Sequence, residues 1–324
     1  MIPQSARNLY LTHPKDRRKT GRLWERFNVR QLREEDLRDP YHQMLVQEWA
    51  RVQDLGVDPV QAKAALLSQE AFARIAEEKG FLIRMARRVF ERVRGILSGL
   101  SGILIFADAE GTILCVMGDT SVQLEAARES NLVEGGQWGE GLAGTNGIGT
   151  ALARRGPVHV FSSEHFCEGW HRWTCAGAPV LDPFTQEVLG VVDFTTAESQ
   201  FREKASDLVY SLASNLSAEI RAQVELERVQ LLHQRASLAP DIPTDRIVLF
   251  DRLGHRISTG RPESPGRVGE DREARAAPAP VESRPVLLPG APEPAGTLVV
   301  VDGPRIQREG KGRPFGRAEP LPPR

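Results

Sequence analysis

Residues 103–117, ILIFADAEGTILCVM, decide the fold. Ile103 to Ala107 and Thr112 to Met117 are short runs rich in β-branched and aromatic side chains, and Asp108 to Gly111 between them ends in a glycine able to take the positive φ of a tight turn. The segment predicts a β-hairpin. Upstream of it, Phe81, Leu82, Met85, Val89, Val93, Ile96 and Leu97 recur at three and four residues, the signature of a long amphipathic helix that stops near Gly99. Downstream, Thr145 or Asn146 can cap a short helix running through Leu152 and Ala153, with Gly156 as its stop and Pro157 opening the strand Val158 to Phe161. A second hairpin is predicted from Cys175 to Leu181 and Val188 to Phe194 around Asp182-Pro183, followed by a long helix from Ser199 to Arg235. The order implies an α+β fold, an antiparallel sheet with helices on one side. In the last helix Leu208, Leu212, Leu216, Ile220 and Val224 form a narrow row at four-residue intervals, which suggests a parallel dimer seam.

The flanks are less regular. Residues 1–40, and Arg7 to Asp39 in particular, are charge-rich with few periodic apolar positions and read as a solvated basic arm. Residues 41–78 read as a helical lead-in: Met44, Leu45, Trp49 and Val52 share a helix face, Gly56 ends the run, and Asp58-Pro59 opens the next helix. The central α+β region then covers 79–235. After it, Arg246 to Phe250, the turn Asp251 to Gly254, and Thr297 to Val301 suggest a small incomplete β unit over 244–302. Arg261 to Pro294 reads as a Pro-rich spacer and 303–324 as a disordered tail, because neither carries enough apolar surface to offset chain entropy.

The chain has 324 residues, with 42 basic against 43 acidic ones, so no global field draws it to nucleic acid or to an anionic membrane. Three cysteines without paired spacing, a start without an apolar leader run and no membrane-spanning stretch lead us to expect a soluble cytoplasmic protein.

Several motifs occur in a fixed order. They are Gly139-Glu140 through Gly144-Thr145-Asn146 to Gly149 and Leu152, then Glu164-His165-Phe166, then Trp173-Thr174-Cys175 to Pro179, then Leu189-Gly190 to Asp193. With Glu48-Trp49-Ala50-Arg51 and Leu55 to Pro59 upstream, this stretch, about Tyr41 to Arg235, resembles the GAF-type sensor region of bacterial acetoin and glycerol-metabolism regulators, which are sigma-54-dependent activators. The resemblance implies a GAF-type sheet with flanking long helices, a homodimer, and a small organic effector such as an alcohol, ketone or related metabolite. It implies no cofactor and no enzyme activity. The strands after Thr244 look like a reduced PAS-like unit. The activators of this family carry an ATPase and a helix-turn-helix, but no G-x-x-x-x-G-K-[ST] loop and no late two-helix motif occurs here. Direct DNA binding is therefore not expected, and the partner expected in transcription is an activator acting in trans.

The candidate ligand-binding residues lie in these motifs. Trp138, Phe166, Trp170 and Trp173 concentrate aromatic surface, read as core, as walls of a ligand pocket or as a partner surface. Glu140, Thr145, Asn146, His165, His171 and Cys175 are the polar groups beside them. Three sharper readings compete. His165, Cys167, His171 and Cys175 could hold zinc, but their spacing matches no usual structural site. Cys175 with His165 could be a nucleophile pair, but neither an oriented base nor an oxyanion hole is indicated. The glycines from Gly144 to Gly149 could hold a phosphate, but they more simply let a short helix start close to the sheet; a middle reading has its N-terminus supply donors to a ligand oxygen. An adaptor with an empty pocket, or a His/Cys metal protein, remain the alternatives to a sensor.

Overall fold

Strand formation at the deciding hairpin follows from burial on both sides. In a computed structural model of the chain, which describes residues 17–97, 100–200, 205–242, 246–257 and 280–301, the elements run in the order α1 (Arg17–Asn28), α2 (Pro40–Asp54), β1 (Ala65–Leu66), α3 (Gln69–Glu78), α4 (Gly80–Leu97), β2 (Gly102–Asp108), β3 (Ile113–Gly118), α5 (Thr120–Ser130) and β4 (Gly136–Gln137). They continue as α6 (Glu140–Ala143), α7 (Gly147–Arg154), β5 (Val158–Phe161), β6 (Trp173–Leu181), β7 (Val188–Ala197), α8 (Ala205–Leu238), β8 (Ile247–Asp251), β9 (Arg256–Ile257), β10 (Pro280–Val286) and β11 (Gly296–Val301). The chain divides within α8 into two compact units, Met1–Ala222 and Gln223–Arg324.

In the first unit five antiparallel strands lie in the order β3-β2-β7-β6-β5. The expected hairpins form β2 with β3, where Gly111 takes φ +86, and β6 with β7. Every residue of β2 is buried, so the strand cannot have a wet face. Its odd residues Ile103, Ile105 and Ala107 join a core with Ile148 and Ala151 of α7, Val122 and Ala126 of α5, and Trp49 of α2. Leu104 and Phe106 point the other way and are equally buried. On that side α4 packs on β2 and β3, and α8 is tied to the sheet by Leu181 N donating to Ser217 Oγ at 3.0 Å. Helices thus cover both faces, which corrects the one-sided arrangement expected from the order of elements alone.

Other expectations also change. Residues 17–28 are no solvated arm: α1 buries Thr20, Leu23 and Phe27 on one face, and Trp24 Nε1 donates to the carbonyl of Phe166 at 2.7 Å. The part of the arm before Arg17 lies outside the described residues. Asp58-Pro59 starts no helix. The chain after α2 runs irregularly from Gly56, φ +83, to α3, whose N-cap is Ser68. The leucine row of α8 is buried within the chain, with Leu212 at 4% exposure and Leu216 and Ile220 at 0%, so it is a core face and not a free dimer seam.

The second unit is a four-stranded antiparallel sheet, order β10-β11-β8-β9, whose core joins Leu231, Ile247, Leu249, Val286, Leu298 and Val300. Arg252 sits among the carboxylates of Glu227 and Glu293. β10 falls inside the stretch read as spacer. Its prolines, Pro280 and Pro285, are tolerated because β10 is an edge strand, where a missing N–H breaks no central ladder. The remainder of that spacer up to residue 279 and the tail after Pro304 lie outside the described residues.

Candidate functional site

The glycine string sets α7 directly against the sheet. Asn146 is the N-cap: its Oδ1 accepts from the backbone N–H of Ile148 and Gly149, both at 2.9 Å, while its Nδ2 donates to the carbonyls of Trp138 and Gly144. Each of its hydrogen-bonding directions is spent on the backbone. A Cβ at Gly177 would lie 1.9 Å from the carbonyl oxygen of Gly147, and one at Gly147 would lie 2.0 Å from Oδ1 of Asp193. Only glycine permits this approach of helix to strands. Beneath α7, Asp193 is fully enclosed. Thr195 donates to its Oδ2 at 2.6 Å, its Oδ1 has no hydrogen-bond partner, and burial pushes its carboxyl up to about 7.

On the other side of α7 a cleft opens between α2, α7 and β5. Tyr41, Met44, Leu45 and Glu48 line it from α2, Thr150 and Arg154 from α7, and Val158, His159 and Val160 from β5, with Thr145 and Glu164 at its inner end. It takes in about 410 Å³, open water at its mouth included, so the enclosed part is small. Glu164 is its best-connected residue. Its carbonyl accepts from Trp49 Nε1 at 2.8 Å and from Thr145 Oγ1 at 3.1 Å, and its carboxylate accepts from Phe161 N at 2.8 Å and from the Tyr41 hydroxyl. One residue therefore fastens α2 to the loop after β5. With no cation beside it among the described residues, burial raises its carboxyl to about 7. At the rim, Arg154 pairs with Glu48 at 2.6 Å, and Arg51 bridges Glu48 and Glu140.

Of the residues singled out in the sequence, Thr145 lines this cleft. The others do not line it. Glu140 is buried, held by Arg51 and by the hydroxyl of Thr150 at 2.7 Å. Trp138 and Trp170 pack with ring centroids 4.7 Å apart, and Trp170 Nε1 donates to Ala143 O at 2.8 Å. Trp173 Nε1 donates to Ser130 Oγ at 2.8 Å, and the backbone N–H of Phe166 to Thr145 Oγ1 at 2.7 Å. Such satisfied, buried aromatics are core. His165 Nδ1 lies 2.7 Å from Ser162 O and burial pushes the ring down to about 3. His171 stands edge-on to Trp24 with Nε2 3.0 Å from His165 O.

The Cys175 thiol is pushed far up by burial and lies 3.2 Å from Thr195 Oγ1, and Cys167 is pushed up to about 12. Both stay protonated near neutral pH, which opposes thiolate ligation and nucleophilic attack alike. Among the described residues no three His, Cys, Asp or Glu side chains are placed to share a metal ion. Sequence reasoning missed Tyr41, Glu48, Thr150, Arg154, His159 and Glu164. Glu164 stood in the Glu-His-Phe motif, but nothing local separated it from its neighbours.

Comparison with known proteins agrees with this architecture. The chain is 29% identical over 223 residues to the acetoin dehydrogenase operon transcriptional activator AcoR of Bacillus subtilis, covering 67% of this chain and 36% of that one. It is 30% identical over 177 residues to the propane 2-monooxygenase operon transcriptional activator MimR of Mycolicibacterium smegmatis, covering 54% of this chain and 28% of the activator. The chain thus spans about a third of the length of these relatives. Among solved structures, that of the E. coli DhaR(N)-DhaL complex superposes with a TM-score of 0.54 at 17% identity, over 65% of this chain and 71% of that one, a likeness of fold. No helix among the described residues is long and apolar enough to cross a membrane. Residues 37–222, more than half of the chain, match the family described as the N-terminal domain of MimR, and the protein belongs to that family.

Proposed function

We propose that this protein is a small-molecule-responsive module of transcriptional regulation, in which a small organic effector occupies the cleft between α2, α7 and β5. The observation that carries the reading is the position of Glu164: it lines the cleft and at the same time holds α2 through Tyr41 and Trp49. An occupant there touches both the lead-in helix and the sensor body, so it can favour one arrangement of α2 over another. The relatives named as transcriptional activators support regulation over catalysis. The signal then passes to a partner chain, an activator acting in trans. The homodimer belongs to this reading with its seam moved from the buried leucine row to the outward face of α8, where Leu226 and Val229 are 54% and 64% exposed. An adaptor reading is favoured by a different observation, the filling of the interior by Trp49, Trp138, Trp170 and Trp173.

Thermal melts and tryptophan emission with a panel of small alcohols, ketones and diols separate the two. A ligand that binds the folded state alone raises Tm by mass action. Met44→Trp, which fills the cleft, should abolish the shift. A panel that leaves both signals unchanged at high concentration rejects the effector reading and supports the adaptor.

A further inference from the structure

Left to itself, α1 would not hold as a helix. It has twelve residues, few for an isolated helix in water, with Gly21 in its middle and Arg18, Arg22 and Arg26 four apart on one face, where like charges repel. Its seat makes it helical. Leu23 and Phe27 are buried, with the Phe27 ring 5.6 Å from that of Trp49 on α2 and 6.4 Å from that of Phe166. Trp24 donates to Phe166 O at 2.7 Å and stands edge-on to His171, and a Cβ at Gly21 would lie 3.7 Å from Ser163 Oγ. At the start of the helix Arg17 pairs with Glu198, whose Oε2 is 2.8 Å from Ser162 Oγ. α1 thus lies along the loop 162–171.

This seam differs from the core beneath it. Asn28 Oδ1 and Ser163 Oγ are buried with no hydrogen-bond partner among the described residues, and both regain water when the seam opens. Ser162 is buried at φ +49, a left-handed conformation unfavourable for a residue with a side chain, and α1 reaches its hydroxyl through Glu198. Between α1 and α2 no residue from 29 to 39 is buried, and Arg30 turns the chain at φ +56, so the connection can swing without breaking a core. The family match begins at residue 37, beyond α1.

We propose that α1 is a releasable strap over the loop 162–171: it docks and leaves as a unit, helix when seated and coil when free, and its release lets the loop relax while the sheet and its other helices stay folded. On release the loop loses the bond from Trp24, the hold of Arg17 on Glu198 and the cover of Phe27. It keeps the bonds of Trp170 to Ala143 and of Phe166 to Thr145, so it loosens in place. Glu164 lies within it, and the position of α1 therefore bears on how firmly α2 is held. The strap does not depend on an effector in the cleft.

Hydrogen exchange read by mass spectrometry on the full chain tests this, with wild type, Leu23→Asp, and the double variant Gly21→Cys with Ser163→Cys, whose side chains the seam brings within reach of a disulfide. In wild type the amides of 17–28 and 162–171 should exchange on the order of a hundredfold faster than those of β2. Oxidation of the cysteine pair, confirmed by peptide mapping, should slow both segments about tenfold, and reduction should restore them. Leu23→Asp should speed both segments and leave β2 and the cooperative melt as in wild type. Exchange of α1 as slow as that of β2 makes it integral core and overturns the strap, as does loss of the cooperative melt in Leu23→Asp. A loop that stays slow while α1 is fast, or that the disulfide leaves unchanged, reduces α1 to a fraying helix and also overturns it. Failure of the disulfide to form places α1 away from this seat, with the same consequence.

Discussion

Asp193→Asn should make the protein more stable as pH rises relative to wild type, and the size of the effect follows from the geometry beneath α7. Asp193 is 1% exposed, receives one hydrogen bond from Thr195, and has an Oδ1 with no partner against Gly147. Burial raises its carboxyl from 3.8 to about 7. An acid raised in the folded state binds a proton that the unfolded chain has lost, so its contribution to stability falls as pH rises from 3.8 to 7 and is level above that. The full difference is about 4 kcal/mol, and the portion between pH 5 and 8 is about 3 kcal/mol. Asparagine keeps the shape and the bond from Thr195 but does not titrate. Its amide is also imperfectly partnered, yet that penalty is the same at every pH. Glu164, raised in the same direction, and His159 and His165, lowered by burial, contribute equally to both proteins and cancel in the comparison. Urea denaturation of both proteins at pH 5, 6, 7 and 8 measures the difference directly. A gap between the two curves that stays constant across that range would refute the assignment of a buried, uncompensated carboxyl to Asp193.

Gly177→Ala should lower Tm by 10 °C or so and stability by about 3 kcal/mol, because a methyl 1.9 Å from the carbonyl of Gly147 forces α7 off the sheet; an unchanged melt in calorimetry would contradict that packing. Trp49→Phe removes the indole donor to Glu164 O and should cost about 1 kcal/mol, read as faster amide exchange in residues 162–171 with β2 unaffected. Leu216→Asp should destabilise the first unit by about 4 kcal/mol through a buried charge, whereas Leu226→Asp, at an exposed position, should leave the melt in place and shift sedimentation toward monomer. A Leu216→Asp protein that melts normally but sediments as a monomer would restore the leucine row as a seam.

The parts of the fold that the sequence disclosed are those where local chemistry and burial agree. The apolar runs of β2 and β3 flank a glycine that takes φ +86, and Asn146 caps α7 with its own side chain. Where burial is supplied from a distance, the reading failed. α1 presents Thr20, Leu23 and Phe27 to the interior between arginines and lysine, too sparse a stripe to register as helical. α5 buries Val122, Ala126 and Ser130, two of them small or polar, so its stripe is faint in the sequence, although Asp119 at its N-cap and Asn131 in the left-handed region at its C-cap are visible signals. The leucine row of α8 was seen correctly as a stripe, but a stripe does not say whether its cover is the same chain or another.

The same limit explains the site. Aromatic clusters attract attention in a sequence because they bury much surface, and for that reason they are the residues a fold consumes first; Trp138, Trp170 and Trp173 each give their indole or ring to the interior. A recognition group is what packing leaves over, and packing is settled between distant segments. Glu140 and Glu164 make the point. Both are buried, and Glu140, set in the glycine-rich motif, is the more conspicuous in the sequence. Yet Arg51 reaches Glu140 from 89 residues away and neutralises it, with Thr150 completing its bonds. The Glu164 carboxyl instead meets a phenol and a backbone amide, and no cation among the described residues. A carboxylate paired with arginine is compensated in place. One surrounded by neutral donors is raised by burial, here to about 7. The difference between these two glutamates lies in which distant side chain arrives beside each, and a linear sequence does not state that.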